Sequence, residues 1–124
     1  MAVPILKQGD VLIASIQAAL TDQDLVQLQN EFAAQVGRFR SRGVIIDVTA
    51  LDVLDSFATR TLRSIAYTAR LRGAQTVVVG IQPDVAFAMV QLGLSLEGVS
   101  TALDLEEGLA HIGKITKQGS NHVR

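Results

Sequence analysis

Two short runs, "GVIIDV" at 43–48 and "QTVVVG" at 75–80, limit the possible folds more than any other feature of the chain. Each packs β-branched residues without polar alternation, the pattern of a strand covered on both faces. Between them, Ala58, Leu62, Ile65, Ala66 and Ala69 recur at helical spacing within the stretch from Ser56 to Arg72. Strand, helix and strand in that order require a crossover, and so a parallel sheet with helices against it.

The flanking sequence extends this pattern. "VPILKQGDVLIASI" reads as two short strands joined through Gln8, Gly9 and Asp10, which makes the first strand antiparallel. Thr21 and Asp22 then precede a helix whose apolar positions are Leu25, Leu28, Phe32, Ala33 and Val36. Thr21 and Asp24 stand at capping-box spacing, with Asp in place of the usual Glu or Gln. Gly37 or Gly43 is expected to end this helix, and Gly73 the next. Pro83 suits the first turn of a third helix, "DVAFAMVQLG", which Gly93 closes. "GVSTA" is a weak edge strand, and Asp104 opens a last helix through Leu105, Leu109 and Ile112. The expected architecture is one α/β domain over residues 1–116. It has a mixed, mostly parallel sheet, an antiparallel N-terminal hairpin strand and about four helices, followed by a polar, frayed tail at 117–124.

Several function classes are excluded or weakened by composition. The chain of 124 residues is 48% hydrophobic and 19% charged, enough to bury a core and too apolar for wholesale disorder. Its net charge of -1 lacks the basic excess of a nucleic-acid binder. With no Cys there is no disulfide, thiol nucleophile or Cys-bound zinc. His111 and His122 do not fall at metal-ligand spacing. No apolar run approaches the roughly 20 residues of a membrane span, and no signal-peptide pattern precedes Lys7. A cytoplasmic protein is the expectation, with no membrane, nucleic-acid, metal or cofactor partner.

Four features carry possible chemistry. Asp47, Asp52 and Asp55 surround the end of the "GVIIDV" strand, where open α/β sheets bind ligands. They can be read as a magnesium site for phosphotransfer or hydrolysis, or as three residues with separate turn and capping tasks. No partner Lys follows "QTVVVG", which speaks against a phosphoacceptor aspartate. No nucleotide-cradling glycine motif and no G-x-S-x-G occurs either. A basic set, Arg60, Arg63, Arg70 and Arg72, reads as a solvated helix face or as part of a protein-binding one. The fourth feature is the pair Asp55–Ser56 at the helix start. Both residue types cap helices, but one cap suffices. If Asp55 caps, Ser56 stands spare in the first turn, where the helix dipole and unpaired N–H groups would tolerate a phosphate.

The hairpin, "VIIDVTALDVLDSFATRTL", "TVVVGIQPDVAFAMVQLGL" and "STALDLEEGL", in this order, resemble STAS domains, the sulphate-transporter and anti-sigma-antagonist fold. Within that family the resemblance runs to the small RsbS-type antagonists of the bacterial stressosome, over about residues 3 to 113. It implies no catalysis, and no catalytic residues. It implies switching by phosphorylation of the serine after an aspartate at the second helix, here Ser56 after Asp55. Thr59 and Thr49 are secondary acceptor candidates. The expected partner surface comprises Asp52, Asp55, Ser56, Phe57, Arg60 and Arg63. The implied partners are an RsbT-like serine/threonine kinase, RsbR-like STAS co-antagonists and a phosphatase, in a large homo- and hetero-oligomeric complex. Phe57 and Ala58 stand where many anti-sigma antagonists have a small residue and Gly, which agrees better with the stressosome branch. RsbR-type relatives carry an N-terminal sensor domain, for which this chain is expected to have no room.

Overall fold

The computed structural model describes residues 3–18 and 20–122, with the side chains of 116–122 left aside. Strands β1 (Ile5–Gln8), β2 (Val11–Ser15), β3 (Gly43–Asp47), β4 (Gln75–Val79) and β5 (Ser100–Ala102) lie side by side in chain order. β1 pairs with β2 antiparallel, and every later pairing is parallel. Helices α1 (Asp22–Phe39), α2 (Ser56–Leu71), α3 (Pro83–Gln91) and α4 (Leu105–His122) alternate with the strands from β2 onward. The hairpin, the alternation and the mixed sheet are those expected from the sequence.

Successive strand residues face opposite sides of a sheet, and the two sides here have separate cores. Leu12, Ala14, Val44, Ile46 and Val78 pack with Phe32 and Val36 of α1, Leu62 and Ile65 of α2, and Val85 and Met89 of α3. Val11, Ile13, Ile45, Val77 and Val79 face the other way and meet α4 through Leu105, Leu109 and Ile112. Three helices therefore cover one face and one helix the other. Double coverage is why β3 and β4 read as continuous apolar runs. Gly108 lets α4 come close, since a Cβ there would fall 2.8 Å from Cγ1 of Val79.

Helix ends show where sequence reading holds and where it fails. The Thr21–Asp24 pair forms a complete capping box: Asp24 N–H donates to Thr21 Oγ1 at 3.1 Å, and Thr21 N–H donates to Asp24 Oδ2 at 3.2 Å. Asp is long enough for this task. Asp104 caps α4 as expected, accepting from the N–H of Glu107 at 2.9 Å. Neither Gly37 nor Gly43 ends α1. The helix runs through Gly37 to Phe39, and Arg40 takes the left-handed turn at φ 49°. Gly37 instead leaves space for the Arg72 guanidinium, which a Cβ at that position would strike. Gly43 begins β3. The backbone of α4 is helical beyond residue 116, the boundary expected for the tail.

Candidate functional site

The loop from β3 to α2 is fixed at its two ends and by its apolar residues. At the strand end, Asp47 Oδ1 accepts from the backbone N–H and the hydroxyl of Thr49, at 2.9 and 2.6 Å. The Thr49 carbonyl accepts from Gln82 Nε2 at 2.7 Å, which ties this loop to the start of α3. Gly80, at φ +80°, makes the neighbouring turn, and a side chain there would strike Thr49. Leu51 and Leu54 are buried in the core, while Asp52 and Val53 between them are exposed. Burying two leucines around an outward pair holds the loop in one shape.

That shape presents the start of α2. Asp55 is the N-cap, in extended conformation, and its Oδ1 accepts from the N–H of Ala58 at 2.8 Å. Its carbonyl accepts from the N–H of Thr59 at 2.9 Å. Ser56 is thus the first helical residue, exposed, and its hydroxyl makes no hydrogen bond among the described residues. The N–H groups of Ser56 and Phe57 are the orphan donors every helix leaves at this end. Phe57 is half-buried, and its carbonyl accepts from the Thr61 hydroxyl at 2.9 Å. Asp55→Ala is expected to cost about 1 kcal/mol through loss of the cap, read as a lower midpoint in urea unfolding. A cost near zero would mean that Ser56 takes over the cap, and so is not spare.

Thr59, by contrast, is 1% exposed, with its Oγ1 buried and unpartnered. It belongs to the buried side of α2, a polar residue hidden within an apolar stripe. Thr49 is exposed, but its hydroxyl is engaged by Asp47. Asp47 is thereby occupied in shaping the turn and Asp55 in capping. Among the described residues, no three His, Asp or Glu side chains stand close enough together to hold a metal ion.

Arg60, Arg63 and Arg70 line one groove together with Tyr67 of α2, Gln29 of α1, and Glu97 and Gly98 from the segment before β5. Arg72 does not join them. It lies against Gly37 near the C-terminal end of α1, in a separate depression with Arg40 and Arg42. Sequence reading grouped the four arginines because they share a helix, but Arg72 is the C-cap residue and follows a different direction. Glu97 could not be associated with the groove from local pattern, since only the fold brings it to α2. A small apolar cavity of about 80 Å³ also went unread. It lies beneath the cap, between Ile16, Leu20, Leu25, Leu51 and Leu62.

Among the described residues, no helix is long and apolar enough to cross a membrane. The STAS domain profile matches residues 2–108. A structure of RsbS from Moorella thermoacetica, carrying a serine-to-glutamate substitution, superposes with a TM-score of 0.80. The two are 36% identical, over 93% of this chain and 97% of that one. A structure of the stressosome, described as a signal integration and transduction hub, contains a chain that is also 36% identical. That match has a TM-score of 0.75 and covers 91% of this chain and 98% of the other. The RsbT co-antagonist protein RsbRA of Bacillus subtilis is 34% identical over 74 residues, which are 60% of this chain. The match takes in 27% of RsbRA, so the chain spans about a quarter of the length of that curated relative. The names of these relatives mark a co-antagonist and a part of a signal integration and transduction hub. The profile match across most of the chain, on a sheet of this topology, makes it a member of the STAS-domain family.

Proposed function

We propose that this protein is a non-enzymatic scaffold component of a bacterial stressosome. It holds a serine/threonine kinase of the RsbT type and gives that kinase up when Ser56 is phosphorylated. The observation that carries this reading is the division of labour at the start of α2. Asp55 caps the helix, so the Ser56 hydroxyl is exposed and has no structural task. A phosphate on Ser56 would meet the orphan N–H groups and the positive end of the helix dipole, so the fold accommodates it. It would add roughly -1.5 to -2 charges to a surface that already holds Asp52 and Asp55. A partner seated on Asp52, Asp55, Phe57, Arg60 and Arg63 would meet a large electrostatic change.

The likeness to RsbS and to a stressosome chain supports assembly into a large complex. Likeness to an RsbT co-antagonist supports RsbR-type proteins as neighbours in it. A phosphatase would return Ser56 to its starting state, and the cytoplasm is where such a cycle has its ATP. Ser56, not the buried Thr59 or the engaged Thr49, is the acceptor. Incubation with an RsbT-type kinase and ATP, followed by peptide mass spectrometry, should place phosphate on Ser56. Phosphate found only on Thr49, Thr59 or elsewhere would overturn the assignment.

A further inference from the structure

Ser56, Arg60, Arg63, Tyr67 and Arg70 recur along α2 at alternating steps of four and three residues. That spacing stacks side chains on one helical face, and all five are exposed. From Arg60 to Arg70 the stripe runs about 15 Å at the α-helical rise. A groove of about 690 Å³ follows it, walled by Gln29 on one side and by Glu97 and Gly98 on the other. The Arg70 guanidinium lies 5.9 Å from the Tyr67 ring centroid. It also rests beside Gly98, where an added Cβ would come within 3.3 Å of it. Arg60, Arg63 and Arg70 have no ion pair among the described residues, and Glu97 is the single carboxylate lining the groove. A chain of net charge -1 thus concentrates an excess of positive charge in one channel, three guanidinium groups against one carboxylate.

We propose that this groove docks an extended acidic segment of a partner protein. Guanidinium forks match carboxylates in pairs, and three of them spaced along a helix suit a run of Glu or Asp. Tyr67 in their midst adds the aromatic surface that, with Arg, dominates protein–protein contacts. The channel is open and elongated, so it would leave much of a compact small anion in water, where ligand pockets bury most of theirs. A nucleic-acid site would be expected on a chain with a positive balance, which this one lacks. The helical stripe continues past the groove to Ser56, one turn before Arg60. Phosphate there would draw the Arg60 guanidinium toward itself and weaken the docked segment. That coupling rests on the Ser56 reading; the docking does not.

The test uses the full, unphosphorylated chain and a fluorescein-labelled decaglutamate peptide, followed by fluorescence anisotropy at low and high salt. Saturable binding that weakens with salt is expected. The triple variant Arg60→Gln, Arg63→Gln, Arg70→Gln should bind about tenfold more weakly, with an unchanged thermal midpoint. Glu97→Gln, which removes the competing carboxylate, should tighten binding about twofold. Peptide binding by the unphosphorylated chain needs no acceptor at Ser56, so a failure of the phosphorylation switch is read separately. No binding, equal affinity in the triple variant, or tighter binding of a single-stranded oligonucleotide of the same charge would overturn the proposal.

Discussion

Ser56→Ala is expected to leave the kinase bound after ATP is added, where the parent protein releases most of it. The substitution removes only the acceptor oxygen. Ala is a good helix former, the first helical position needs no side-chain bond, and Asp55 still caps through Ala58 N–H. Stability should therefore stay within about 0.5 kcal/mol of the parent, as for a surface change away from special features. A release assay then isolates the phosphate. With kinase and assembled scaffold on a column, ATP should elute kinase from the parent and only background amounts from the variant. Ser56→Asp should give an intermediate result, because a carboxylate carries less charge and fewer acceptor oxygens than a phosphate. Equal elution from parent and alanine variant would show that release runs through another residue.

What made the spare position of Ser56 legible in the sequence was local chemistry. An Asp–Ser pair at a strand-to-helix change poses a question about two caps, and the geometry of one turn answers it. The same locality explains why β3, β4, the N-terminal hairpin and the capping box at Thr21 could be read from spacing alone. The misreadings share a different cause. Arg40 supplies the left-handed end of α1 although glycine is the usual choice, and two glycines nearby drew the eye instead. Gly37 is small because Arg72 crosses it from α2, a contact between residues far apart in the chain.

Thr59 and the basic groove make the same point from opposite sides of α2. Thr59 is polar in composition but buried in position: three residues before Leu62 and seven before Ala66, it shares their apolar face of α2. Arg60, Arg63 and Arg70 were visible as charges, yet their significance depends on Glu97, Gly98 and Gln29 standing beside them as the walls of an open groove. Those three come from α1 and from the segment before β5. Periodicity reports which face a residue is on; only tertiary packing reports what stands opposite.

Phe32→Ala is expected to cause the largest loss of stability of any single change considered. Phe32 is 1% exposed on α1 and belongs to the core cluster with Val36, Leu62 and Ile65, where α1 and α2 meet over the sheet. Truncating a buried Phe removes the transfer free energy of the ring and leaves a cavity, together about 3–5 kcal/mol. Against a total of about 5–15 kcal/mol for a domain of this kind, that is a large fraction. A thermal midpoint lower by roughly 10–20 °C is the corresponding reading for a chain this size. A loss below about 1 kcal/mol would mean that the helices collapse onto the vacated space. The position also has a functional consequence, because Gln29 sits one turn earlier on the same helix and forms a wall of the basic groove. Loosening α1 should weaken decaglutamate binding even at temperatures where Phe32→Ala is still folded, without removing a single groove side chain.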